Sequence, residues 1–156
     1  MHLTTSARVP ASLDRVFDFF SHAENLQLLT PPWLHFEIRP PVPIAMRQGT
    51  EIEYRIRLHG IPLSWRSEIT SWDPPGLFVD TQIRGPYRRW VHTHRFTAVD
   101  GVTLVDDAVD FDMTGGRLIG VLVGRDLRSI FTYRHGALCR ALGLPPGPAP
   151  AVTIAS

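Results

Sequence analysis

Between residues 51 and 58 the chain alternates without a break. Ile52, Tyr54, Ile56 and Leu58 fall on one side of an extended segment, and Glu51, Glu53, Arg55 and Arg57 on the other. Period-two alternation with charge on one face is the signature of a half-buried antiparallel strand. Runs of the same kind follow at 63–72, 77–83, 88–97 and 102–111, separated by Gly60, by Pro74-Pro75-Gly76 and by the hairpin dipeptide Asp100-Gly101. No helical pattern interrupts them, so the sheet they form is antiparallel. A weaker alternation at 2–9 predicts a first strand, and a short strand at 34–39 runs into the loop Pro40-Pro41-Val42-Pro43.

Helical spacing occurs in three places. Pro10 opens a helix that Ser12 can cap and Asp14 favours in its first turn, with Val16, Phe17, Phe19 and Phe20 as its apolar face. A second short helix at 24–29 stops before Pro31-Pro32. The third is long, 117–142, with Leu118, Val121, Leu122, Leu127, Ile130, Phe131, Leu138 and Leu142 on its apolar face and Gly143 placed to end it. Residues 144–156 are proline-rich and read as a flexible tail, leaving 1–143 as one domain. The expected fold is α+β. A seven-stranded curved antiparallel sheet wraps around the long C-terminal helix, with two short helices between strands 1 and 2. A sheet with one polar face must cover its other face, and only the last helix is long enough to cross it. A curved sheet gripping one helix leaves a wedge of space.

Composition narrows the function. The 156 residues are 44% apolar and 20% charged with a formal net charge of +1, ordinary values for a soluble globular domain. The arginines are scattered, and no basic patch interleaved with aromatics marks a nucleic-acid groove. Cys139 is the one cysteine, which rules out an intrachain disulfide and a cysteine metal cluster and fits a small core residue. The N-terminus lacks the pattern of a signal peptide, and the longest apolar run, broken by Gly120, is far short of a membrane span. The expected location is cytoplasmic, without membrane insertion. Exposed edge strands leave a homodimer open.

Chemistry concentrates in the segment from Gly85 to Phe96. On a strand Trp90, His92, His94 and Phe96 share one face, and Arg89, Val91, Thr93 and Arg95 the other. The aromatic face points inward, so both imidazoles are buried and each needs a partner. On the next strand Val105, Val109 and Phe111 mark an inward face that carries Asp107. Asp80 and Gln82 share the side of Phe78 on the strand before. His92, His94 and Asp107 are therefore expected to cluster, with Asp80 and Gln82 as further candidates. Such a cluster can be a satisfied structural network, a polar anchor in a ligand cavity, an acid–base pair or a metal site. Asp106, Asp110 and Asp112 alternate outward. Gly115, Gly116, Gly120 and Gly124 recur at helical spacing without the lysine of a phosphate loop, and fit either a helix face narrowed at a cavity mouth or a helix that begins late.

Three stretches carry a family resemblance: Phe78-Val79-Asp80-Thr81-Gln82, the segment from Gly85 to Phe96, and Ile130-Phe131-Thr132-Tyr133-Arg134-His135. With the element order they resemble the START-like helix-grip superfamily, also called SRPBCC. Within it they look like the bacterial polyketide cyclase/dehydrase and ligand-binding proteins. The resemblance covers about residues 2–143. It implies a deep cavity between sheet and C-terminal helix, used across the superfamily for lipids, sterols, polyketides and plant hormones. Rieske-type cysteine and histidine pairs are missing, so the oxygenase branch is set aside. The expectation is a binding protein for a small hydrophobic or amphipathic molecule, with no cofactor, no metal and no nucleic-acid partner. The ligand would enter between the long helix and the loops at 31–43 and 60–62. Trp33, Tyr54, Trp65, Phe78, Trp90, Phe96 and Phe131 would supply contact area, and Asp80, Gln82, His92, His94 and Asp107 polar contacts. The alternative is a cyclase, aromatase or dehydratase with His92 or His94 as base and Asp107 orienting it. No catalytic residue carries over from a motif.

Overall fold

The structure, a computed structural model, describes residues 1–39 and 41–155, and the backbone alone of 116–118. Pro40 of the proline-rich loop and the Leu118 side chain lie outside the described residues. The chain begins with β1 (His2–Val9) and α1 (Leu13–Phe20). Ser12 caps α1 by accepting a hydrogen bond from the Arg15 amide, and Val16, Phe17, Phe19 and Phe20 are its buried face. The four-residue α2 (Leu26–Leu29) follows. Next come β2 (Glu37–Ile38), β3 (Glu51–Leu58), β4 (Ile61–Asp73), β5 (Leu77–Arg84), β6 (Arg89–Val99) and β7 (Val102–Asp112). The helix α3 (Gly116–Ala141) and β8 (Val152–Ala155) complete the chain.

All strands join one antiparallel sheet in the order β2-β3-β4-β5-β6-β7-β1-β8. The hairpins at His59-Gly60 and Asp100-Gly101 have positive φ at both central positions, 49° and 80° in one and 48° and 78° in the other. That conformation matches the twist of paired strands, and glycine adopts it at least cost. Membership of β5, β6 and β7 in mid-sheet fixes their side chains from both flanks.

Several expectations need correction. Among the described residues the sheet has eight strands, because residues 152–155 of the expected flexible tail form β8 against β1, with Ile154 opposite Leu3. The edge of β1 offers unpaired backbone groups, and Val152-Thr153-Ile154-Ala155 can satisfy them despite the prolines before it. Two glycines of α3 face the N-terminus and β8. A Cβ on Gly124 would stand 3.5 Å from Ile154 Cδ1, and one on Gly120 would crowd Met1. The strand expected at 34–39 shrinks to Glu37–Ile38, since Pro31 and Pro32 set Pro32–Leu34 in a 3₁₀ turn. On α3, Val123, Leu127, Phe131, Leu138 and Leu142 point inward, whereas Val121 and Leu122 are 63% and 52% exposed. Four-residue steps from Val123 follow the inner face, and Val121 and Leu122 fall outside it.

The core is in two parts. One packs α1 and the end of α3 on Ile69, Phe78, Phe96 and Val105. The other packs Leu3, Trp65, Trp90 and Phe111 on Val123, Leu127 and Phe131. Cys139 is fully buried, as a small core residue would be. Among the described residues, no helix is long and apolar enough to cross a membrane.

Candidate functional site

Between the two parts of the core lies a cavity of about 350 Å³. Tyr54, Trp65, Trp90, Leu127, Ile130 and Phe131 supply apolar walls, and Asp80, His92, His94 and Arg134 gather on one side. Volume and lining are those of a small-molecule pocket, mostly apolar with a few convergent polar groups.

The polar side is set by strand register. His92 and His94 are two apart on β6 and so share a face. Asp80 on β5 stands opposite His92, and Asp107 on β7 opposite His94. The hydrogen bonds run diagonally instead of straight across. Asp80 Oδ2 is 3.0 Å from His94 Nε2, and Asp107 Oδ1 is 2.8 Å from His92 Nε2. The remaining ring nitrogens are also close to carboxylates: His92 Nδ1 is 3.6 Å from Asp80 Oδ2 and His94 Nδ1 is 3.0 Å from Asp107 Oδ1. Among the described residues, His94 Nδ1 nonetheless has no hydrogen-bond partner. The two imidazoles lie 3.7 Å apart, centroid to centroid, and Phe78 stacks on His94 at 4.1 Å. Behind Asp80, Trp65 Nε1 donates to Ser67 Oγ at 3.0 Å, which reaches Asp80 Oδ1 at 3.5 Å.

Burial on its own would push both carboxyls up. For Asp107 the hydrogen bond from His92, then His94 and the Arg134 field, overturn this and hold it well below the ordinary carboxylate range. Asp80 is lowered by His94 and then His92 against the same burial effect. Burial lowers His92, helped by its neighbour His94. The same burial opposes protonation of His94, but Asp107 and Asp80 outweigh it and raise the group. Two carboxylates thus share one favoured imidazolium, with Arg134 nearby. Tyr54 is raised well above its usual value by burial and then by Asp80.

A family model described as polyketide cyclase / dehydrase and lipid transport matches residues 9–132. The chain belongs to this family. Among solved structures, protein Ms6760 from Mycobacterium smegmatis is similar at 17% identity and a TM-score of 0.70, over 91% of this chain and 90% of that one. A START superfamily protein from the same organism is similar at 12% identity and 0.66, over 90% and 99%. Major latex-like protein 151 from Panax ginseng gives 12% and 0.66, over 93% and 98%. These likenesses establish the fold as the START-like helix grip. Among curated proteins there is no match.

In this polyketide cyclase / dehydrase and lipid transport family member, most of the residues singled out by sequence converge on the cavity. Tyr54, Trp65, Phe78, Asp80, Trp90, His92, His94 and Phe131 all border it. Four do not. Trp33 is 54% exposed and packs edge-on against Tyr133, because the 3₁₀ turn at Pro32–Leu34 rotates it outward. Gln82 pins the β5–β6 turn, donating to the Tyr87 carbonyl at 2.7 Å and accepting from its amide. Phe96 is buried among Phe17, Phe20 and Phe78. Asp107 sits behind the imidazoles, where it borders a much smaller space of about 20 Å³ with Thr5 and His135. Sequence reasoning missed Arg134, whose guanidinium caps the Phe131 ring at 5.4 Å and borders the cavity. Its signal was present: Arg134 follows Ile130 and Phe131 by one helical turn. Leu26 and Leu29 of α2 and Met46 were missed as lining too.

Proposed function

We propose that this protein binds a small, mostly apolar molecule of lipid, sterol or polyketide character, with a polar atom of the guest against Asp80, His92 and His94. One observation carries the reading: a cavity of about 350 Å³ has aromatic walls and one polar side. Apolar surface removed from water supplies affinity at about 25 cal/mol per Å², and the placed polar groups orient the guest. Family membership supports a ligand-binding role, and no cofactor is needed for it. Tyr54, Trp65, Trp90 and Phe131 are the contact surface, and Arg134 favours a guest with an anionic or carbonyl oxygen.

The His92–Asp107 pair at 2.8 Å favours one further reading, a cyclase or dehydratase using the same cavity. There a histidine takes a proton from the guest while a carboxylate orients the ring.

Native mass spectrometry of freshly purified protein, followed by titration with the apolar dye anilinonaphthalene sulfonate, tests the binding role. Expected is a co-purified small molecule or saturable dye binding that Leu127→Trp, which fills the cavity, abolishes. Dye binding indifferent to Leu127→Trp, with no guest retained, overturns it.

A further inference from the structure

The group of Asp80, His92 and His94 has a feature that guest binding does not use. Asp107 Oδ1 accepts from His92 Nε2 at 2.8 Å, which in the neutral ring leaves Nδ1 bare. That bare nitrogen faces Asp80 Oδ2 at 3.6 Å. Two acceptors therefore confront each other with no donor between them, and His94 Nε2 stands 3.0 Å from the same oxygen. One donor atom from each of these three residues lies within 4.8 Å of the others.

We propose that Asp80 Oδ2, His92 Nδ1 and His94 Nε2 bind one divalent transition-metal ion of the zinc class on the polar side of the cavity. Donor atoms around a tetrahedral zinc stand about 3.3 Å apart at metal–ligand lengths of about 2.0–2.1 Å. The separations of 3.0 and 3.6 Å from Asp80 to the two histidines bracket that value. Two imidazoles with one carboxylate suit zinc, cobalt, nickel or iron over calcium and magnesium, which take oxygen donors. Both histidines project from a mid-sheet strand, so their spacing is held by β5 and β7.

Asp107 completes the arrangement as the outer carboxylate. Metal ligation at His94 Nε2 displaces the proton shared with Asp80, and the neutral ring then carries its hydrogen on Nδ1. That nitrogen is the one now without a hydrogen bond, and Asp107 Oδ1 is 3.0 Å away. A small ring rotation gives Asp107 an N–H from each imidazole, the second-layer pattern that fixes metal-binding histidines. Since Asp80, His92 and His94 border the cavity, the fourth position opens toward it. The ion would sit on the side of the cavity where the guest-binding reading puts the guest's polar atom, but its test needs no guest and so can fail or succeed independently of that reading.

Chelator-stripped protein is titrated with Co²⁺ and the visible d–d absorption recorded, with Zn²⁺ competition followed by calorimetry. One ion per chain and the intense spectrum of a four-coordinate Co²⁺ are expected. His92→Gln and Asp80→Asn should remove the spectrum, and Asp107→Asn should weaken affinity by about 10–100-fold. His59→Ala, which breaks the exposed His59–Asp126 contact at 3.0 Å, should leave both unchanged. Circular dichroism verifies folding of each variant. If His92→Gln fails to fold, Co²⁺-shifted ring resonances of His92 and His94 in the wild-type NMR spectrum decide the matter. No visible band, binding that survives in folded His92→Gln, or unshifted His92 and His94 resonances would overturn the proposal.

Discussion

Removing Asp107 from the chelator-treated protein should cost more stability than any surface change. Asp107 is 8% exposed and its carboxylate touches both imidazoles, at 2.8 and 3.0 Å. Asp107→Ala leaves His92 Nε2 without an acceptor and strips the raised His94 of one of its two counter-charges. Breaking a buried pair by deleting one partner costs about 3–5 kcal/mol. Asp107→Asn keeps the volume and an amide oxygen for His92, losing only the charge, so about 1–2 kcal/mol is expected, the gap between a charged and a neutral hydrogen bond. At about 2–4 °C per kcal/mol for a domain of this size, the alanine variant should melt about 6–20 °C lower. Urea unfolding at neutral pH with unchanged m-value reads the difference directly. The pH dependence has a fixed sign. The folded-state pKa of Asp107 is depressed, so its contribution is present above the unfolded carboxyl value of about 3.9 and disappears as pH falls through the folded value. Wild-type and alanine curves should therefore converge in acid. A loss below about 1 kcal/mol at neutral pH would mean that the cluster is solvated and that the network reading is wrong.

Two further outcomes concern other parts of the molecule. Burial, reinforced by Asp80 beside Tyr54 and by Asp126 beside Tyr87, raises both phenols. The unfolded chain sheds these protons near pH 10 while the native state keeps them, so stability should fall as pH rises past 10. Ultraviolet titration should then show two of the three tyrosines ionising only as the protein unfolds, and smooth ionisation of all three near pH 10 would contradict their burial. Truncation after Gly143 removes β8 with its half-buried Val152 and Ile154, worth about 2 kcal/mol at roughly half of full side-chain burial. Hydrogen exchange should speed up at the β1 amides that face β8, and unaltered exchange would mean the strand does not pair there.

How far the sequence reached depends on what kind of question was asked of it. Alternation decides which side chains share a face, and it placed His92, His94, Asp80 and Asp107 inward because each strand carries large apolar residues on that face. The segment 51–58 and the Asp100-Gly101 hairpin were legible for the same local reason. Alternation is silent on what lies across a gap. Trp33 left the cavity because two prolines set a 3₁₀ turn, a matter of backbone rotation that hydrophobicity does not encode. Val152–Ala155 became a strand because β1 had a free edge, a tertiary fact that a proline-rich composition concealed. Val121 and Leu122 mark the limit on α3, since a helical period fits several faces and only the position of the sheet selects one. The diagonal bonds are the deepest case. Facing pairs Asp80 with His92 and Asp107 with His94, yet each carboxylate bonds the other imidazole more closely. That crossing leaves His94 Nδ1 without a hydrogen-bond partner among the described residues and His92 Nδ1 3.6 Å from Asp80 Oδ2. The crossed arrangement thus keeps His92 Nδ1 on the Asp80 side, where it can answer to a cation or a guest.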